Sequence, residues 1–130
     1  MDINYIKALN KLKFTVIDIE KMIGNGNVKS FEDKQICLLF DNLLEDVRLV
    51  THKIEYYSKT PISGVIRELT NGHFEIQGHE LTCGSPLEIY SERYSEWFPG
   101  RVEYDDKYYF YCSDLGNPAL YSGMVARIRI

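Results

Sequence analysis

The period of the apolar positions changes near residue 60. Before it, Tyr5, Leu9, Leu12, Val16, Ile19 and Ile23 recur at alternating spacings of four and three, which places them on one helical face. Gly24-Asn25-Gly26-Asn27 then stops the helix, because Gly and Asn tolerate the left-handed conformation at helix ends. Ser30 followed by Phe31, Glu32 and Asp33 reads as an N-cap with an acidic residue at the third position. A second stripe follows: Ile36, Phe40, Leu43, Val47, Val50, Ile54 and Tyr57, with Leu39 and Leu44 broadening it. The second helix is expected over about residues 31–57, roughly 40 Å long. Two such stripes joined by a short polar loop predict an antiparallel helical hairpin over residues 1–59. A two-helix pair buries one side of each helix, so its surplus apolar surface must meet the second half of the chain, a second copy or a partner.

After Ser58-Lys59-Thr60-Pro61 the pattern becomes short alternating runs separated by Gly, Pro, Asn and Asp. Strands are expected over 62–69 (with Val65 inward, together with Ile66 or Leu69), 73–77, 78–81, 87–90, 97–104, 108–111 and 125–130. Asn71-Gly72 reads as a two-residue hairpin turn. Pro99-Gly100 marks a bend, bulge or edge. Short strands packed into about 70 residues predict a small antiparallel β-barrel over residues 60–130, SH3-like in the first instance and OB-like in the second. The fold class expected is therefore α+β.

The strand words themselves are familiar. E-L-T-C-G-S-P-L-E-I-Y, then W-F-P-G-R-V-E-Y-D, then Y-Y-F-Y and G-M-V-A-R-I-R-I together resemble a small bacterial domain of unknown function found on plasmids, phages and other mobile elements. The resemblance covers about residues 64–130 and leaves the hairpin out. It implies a small β-barrel and an accessory-gene setting, and supplies no catalytic residues. By analogy of setting alone, it suggests an inhibitor of host defence, such as an anti-CRISPR protein.

Charge sharpens this. The 130 residues carry a formal net charge of −4. Residues 1–59 hold nine basic and nine acidic side chains, whereas residues 60–130 hold six and ten. An acidic second half lacks the cationic surplus that displaces phosphate counterions, which disfavours non-specific nucleic-acid binding, and it suits a partner with a basic surface. Mean hydropathy is −0.27, and no run of about 18 apolar residues suggests a membrane span. The N-terminus lacks a secretion-signal layout. Three widely spaced cysteines, Cys37, Cys83 and Cys112, form no zinc or disulfide pattern, so a reducing cytoplasm is expected.

The chemistry that remains is aromatic. Tyr90, Tyr94, Trp97, Phe98, Tyr104, Tyr108 to Tyr111 and Tyr121 exceed what so small a core can bury. Exposed Tyr and Trp anchor protein interfaces or stack on unpaired bases, and cross-strand pairing within the sheet is the plainer alternative. The residues expected to contact a partner are Tyr94, Trp97, Tyr109 and Tyr121, with Glu92 and Glu96 as a charged rim. Arg101, Arg127 and Arg129 suit a phosphate or a carboxylate, or pair with Glu103, Glu88 or Glu75 across the sheet. Asp105-Asp106-Lys107 fits a loose nuclease D-x-K pattern, with Glu88 or Glu103 as a further magnesium ligand, but those residues are also ordinary in a turn. His73, His79 and Cys83 lie close in sequence without the orienting third group that a Cys–His nucleophile needs. The expectation is a non-enzymatic protein-binding module without a cofactor, its partner a host effector such as a CRISPR nuclease, with self-association through the hairpin as an additional contact. A nucleic-acid-associated barrel and a metal-dependent nuclease are the alternatives.

Overall fold

The computed structural model describes all residues, Met1–Ile130. The chain divides into two compact units, Met1–Lys59 and Thr60–Ile130.

In the first unit, α1 (Ile3–Gly24) starts at Asp2, whose carboxylate accepts the Asn4 N–H at 2.7 Å. The second helix, α2 (Phe31–Ser58), starts at Ser30, whose hydroxyl accepts the Asp33 N–H at 3.0 Å. These caps satisfy N–H groups that the first turn leaves open, and Glu32 and Asp33 favour the positive end of the helix dipole. Lys13 pairs with Glu55, and Glu20 with Arg48 at 2.7 Å. These two pairs set an antiparallel register in which the end of α1 lies level with the middle of α2. Some three turns at the start of α2 therefore run past α1.

On α1 the predicted stripe faces α2: Leu9 is buried, and Leu12, Val16, Ile19 and Ile23 are half-buried, while Tyr5 is exposed. On α2 the buried face keeps Leu44, Val47 and Ile54 of the predicted stripe and loses the rest, Phe40 included. Leu44 is buried and Val47, Thr51 and Ile54 are half-buried, whereas Ile36, Leu39, Leu43, Val50 and Tyr57 are exposed. The contact stripe is rotated by about one residue. Ile36 and Leu39 also lie on the part of α2 that overruns its partner.

The second unit holds eight strands: β1 (Pro61–Val65), β2 (Arg67–Glu68), β3 (Phe74–Ile76), β4 (His79–Leu81), β5 (Pro86–Ser91), β6 (Glu96–Asp105), β7 (Lys107–Tyr111) and β8 (Val125–Arg129). They form two antiparallel sheets, one ordered β1-β8-β5-β6-β7 and the other β2-β3-β4, and neither sheet closes on itself. The protein is thus α+β, with open sheets where one closed barrel was expected. The cause is local. Residues 62–69 do not run as a single strand, because the chain breaks at Ile66. The Ile66 N–H donates to Met124 O, and the Gly123 N–H donates to Ile66 O, both at 2.9 Å. β1 therefore stays with β8, and β2 joins the other sheet. The same break exposes Val65, expected inward, and buries Ile66 in its place.

The inner faces share one core. Ile66, Phe74, Ile76 and Leu81 meet Leu87, Ile89, Val102, Phe110, Ala126 and Ile128, with Cys112, Leu120 and Met124 closing it. The two-residue hairpin turn is Gln77-Gly78, both at positive φ, between the paired residues Ile76 and His79. Asn71-Gly72 instead belongs to a longer loop, closed by the Leu69 N–H donating to His73 O at 2.7 Å. Pro99 sits on β6 opposite Glu88, before the pairing with β7 begins at Arg101. β6 has a neighbour on one side only at that point, where a missing N–H is tolerated. Gly100 is required by close approach: a Cβ there would lie 2.5 Å from Tyr111 O and 2.6 Å from the Phe110 ring.

Candidate functional site

The face of the larger sheet turned away from the core carries its polar and aromatic side chains, because alternation puts Glu88 between Leu87 and Ile89, and Arg127 between Ala126 and Ile128. The β5–β8 register sets Glu88 directly opposite Arg127. Arg127 Nε donates to Glu88 Oε1 at 3.0 Å, and Arg129 donates to both carboxylate oxygens, at 2.8 and 3.3 Å. Only 4% of Glu88 is exposed. Burial pushes its pKa up, but the bonds from Arg129 and Arg127 outweigh that and hold it below the ordinary carboxylate value. The Arg127 guanidinium also lies 4.2 Å from the centre of the Trp97 ring, and Trp97 meets Tyr90 edge-on at 5.3 Å. A second set follows on β6 and β7. Arg101 donates to Glu103 at 2.6 Å and stacks 4.2 Å from the Tyr111 ring. Cys83 donates its S–H to the other Glu103 oxygen at 3.2 Å.

This settles the arrangement of the three arginines: all are held by carboxylates, Arg127 and Arg129 by Glu88 and Arg101 by Glu103, while Glu75 takes Arg67 at 2.5 Å. Cys83 has Glu103 as its partner, not a histidine. The Glu103 hydrogen bond raises the thiol pKa, and the Arg101 bond holds Glu103 low. His73 pairs through Nδ1 with Glu80. Asp105-Asp106-Lys107 forms the β6–β7 turn, with Asp106 at φ 61, and no group of three or more His, Cys, Asp or Glu side chains is placed to hold a metal ion.

The six expected contact residues do not form one patch. Glu92 and Tyr121 share a hollow of about 350 Å³ whose walls include Tyr90, Leu115, Pro118 and Met124. Tyr121 is 60% exposed there. Trp97 adjoins the hollow through Tyr90, but its face is covered by Arg127. Tyr94 stands at the tip of the β5–β6 hairpin, 5.7 Å from the Phe98 ring and under Arg93 at 5.2 Å. Glu96 lies opposite Ser91 at the foot of that tip. Tyr109 is half-buried on β7, bridged to Ala119, and lines no part of the hollow. Glu92 and Glu96 are exposed and make no ion pair.

Two features escaped the sequence reading. Leu115, Pro118 and Met124 enter the hollow from the long segment between β7 and β8, which carries no periodicity. The Glu88–Arg127–Trp97 stack was legible only in part: alternation puts Arg127 and Arg129 on one face, but which acid they meet depends on the β5–β8 register.

No curated protein and no solved structure matches the chain. Residues 66–128, nearly all of the sheet unit and just under half of the chain, match the family described as Domain of unknown function (DUF5348).

Proposed function

We propose that the sheet unit is a non-catalytic protein-binding module whose contact centres on the hollow of Tyr121, Glu92 and Tyr90, extended along the β5–β6 tip by Tyr94 and Glu96. The observation that carries this is an imbalance of charge. The unit's arginines are largely neutralised by their own carboxylates, while Glu92 and Glu96 stand exposed and unpaired beside exposed tyrosine rings. Tyrosine supplies contact area at low entropy cost, and unpaired carboxylates steer a basic partner towards it. Tyr109 and Trp97 take a supporting part, the first half-buried and the second already stacked on Arg127. The five-plus-three strand arrangement around a single core supports an SH3-like lineage whose barrel is opened at Ile66. The sharper form, a mobile-element protein that occludes a basic channel of a host defence effector such as a CRISPR nuclease in the cytoplasm, rests on the resemblance of the strand words.

The test is capture from nuclease-treated bacterial lysate expressing such an effector, with wild type compared to Tyr121→Ala and to Glu92→Lys/Glu96→Lys. Trp97 fluorescence, from the only Trp in the chain, checks that each variant keeps its fold. The expected result is a captured protein lost from both variants and weakened by salt. Retention by both folded variants would remove the hollow from consideration.

A further inference from the structure

The hairpin is a charge dipole. Residues 1–20 and 48–59, which lie level with one another at its open end, carry six basic and four acidic side chains, while residues 21–47, at the loop end, carry three basic and five acidic. The ion pairs between the helices do not cancel this, because Lys13 with Glu55 and Arg48 with Glu20 both lie at the open end and each take one charge of either sign. The same unit leaves a seam of α2 uncovered: Ile36, Leu39, Leu43, Val50 and Tyr57 recur at heptad spacing and are all exposed. A seam of that length on a soluble two-helix unit needs a covering surface.

We propose that a second copy of this chain covers it, antiparallel to the first, with the two-fold axis passing near Leu43 of α2. The charge distribution selects that occupant and that orientation. An antiparallel copy lays the basic open end of each hairpin along the acidic loop end of the other, whereas a parallel copy juxtaposes like ends. The symmetry also matches the stagger of the helices. A two-fold axis at Leu43 sets Ile36 of one copy against Val50 of the other and brings Lys53 to the level of Asp33. The overrunning start of α2, bare of α1, thereby gains a helical neighbour, and the contact is isologous, so it closes at two chains. The result is a four-helix bundle carrying one sheet unit per chain. This does not rest on the contact proposed for the hollow on the sheet unit.

The experiment is sedimentation velocity on the full chain across a concentration series. Wild type is compared with a loop-end reversal (Glu32→Lys, Asp33→Lys, Asp41→Lys), an open-end reversal (Lys7→Glu, Lys11→Glu, Lys53→Glu) and the chain carrying both. Wild type is expected at twice the 15.2 kDa chain mass. Each single reversal is expected to raise the dissociation constant by about tenfold or more, and the combined chain, its dipole inverted, to return close to wild type. Leu43→Asp is expected to abolish the dimer. A wild type that stays monomeric overturns the proposal, whether another protein or another part of the chain covers the seam. A dimer indifferent to both reversals, or one that survives Leu43→Asp, overturns it equally. Far-UV circular dichroism establishes that the reversals keep their helices.

Discussion

The two halves of this chain are similarly rich in apolar residues and use them differently. In the sheet unit, two inner faces enclose a cluster that runs from Ile66 to Ile128, and the residues left exposed are mostly tyrosines. In the hairpin, only Leu9 and Leu44 are fully buried, while Phe14, Ile17, Met22, Leu38, Leu39 and Leu49 stand in solvent. A pair of sheets has an inside, so each strand's alternation decides what is buried. A pair of helices has only a line of contact, and a helix with apolar residues on several sides can present any of them. The sheet unit should therefore behave as an autonomous fold, and the hairpin as one part of a larger assembly.

The sharpest break of this comparison is truncation at matched core positions. Phe110→Ala removes a fully buried ring and is expected to cost about 3–5 kcal/mol, read as the shift of the Trp97 fluorescence transition in urea. Leu44→Ala in the hairpin is expected to cost about 2 kcal/mol, at the low end for such a change because the site can collapse, read from the helical signal at 222 nm. Equal losses at the two sites would mean that the hairpin is as enclosed as the sheets.

Ion pairs separate the units in the same way. Glu88→Ala leaves two guanidinium groups on a covered sheet face and is expected to cost about 3–5 kcal/mol. The pairs Lys13–Glu55 and Glu20–Arg48 are solvent-screened, and Arg48→Ala is expected to shift the helical transition far less. The pH dependence follows from the sign of the Glu88 shift. Its carboxyl is held low in the folded state, so the stabilisation is fully present above the unfolded value of about 4.3 and is lost as pH falls through the folded value. Sheet stability should be flat from neutral pH to the start of that window and decline below it, with a shallower decline in Glu88→Gln. A decline beginning near pH 6 would implicate other groups.

Glycines give a smaller contrast. Gly100→Ala forces a methyl group against Tyr111 O and the Phe110 ring and is expected to cost about 1–3 kcal/mol. Gly24, the last residue of α1, has nothing within 4 Å of a built Cβ, and Gly24→Ala should stay within about 0.5 kcal/mol of wild type.

Element type was legible in the sequence because period and caps are local. Ser30 and the alternation of Val125 to Arg129 each specify their element without reference to the rest of the chain, whereas α1 ends at Gly24 with Asn25 as a right-handed cap at φ −90 and not through the left-handed turn expected there. Three things were not local. The choice between the Leu43–Val50 and Leu44–Thr51 stripes of α2 depends on where α1 ends against it. The opening of the expected barrel depends on two hydrogen bonds that Ile66 makes with the segment at Gly123 and Met124, nearly 60 residues away. The scatter of the six candidate contact residues depends on strand register. Tyr109 and Tyr121 look equivalent in sequence, yet one is held half-buried on β7 and the other lines a hollow with Glu92.

The smallest expected effect tests chemistry rather than stability, and it sharpens the comparison at the cysteines. Cys83 is exposed on the sheet unit, whereas Cys37 is half-buried on α2. Exposure alone would make Cys83 the faster thiol. Its hydrogen bond to Glu103 raises its pKa, so less thiolate is present near pH 8, and the thiolate is the nucleophile. Glu103→Gln should accelerate alkylation of Cys83 by iodoacetamide while leaving the fluorescence midpoint nearly unchanged, because Arg101 keeps its stacking on Tyr111. The rate at Cys37 should not move, which peptide mapping of the alkylated chain reads directly. An unchanged Cys83 rate would mean that the Glu103 contact does not persist in solution, and the polar face of the sheet would then be looser than the Glu88 cluster beside it.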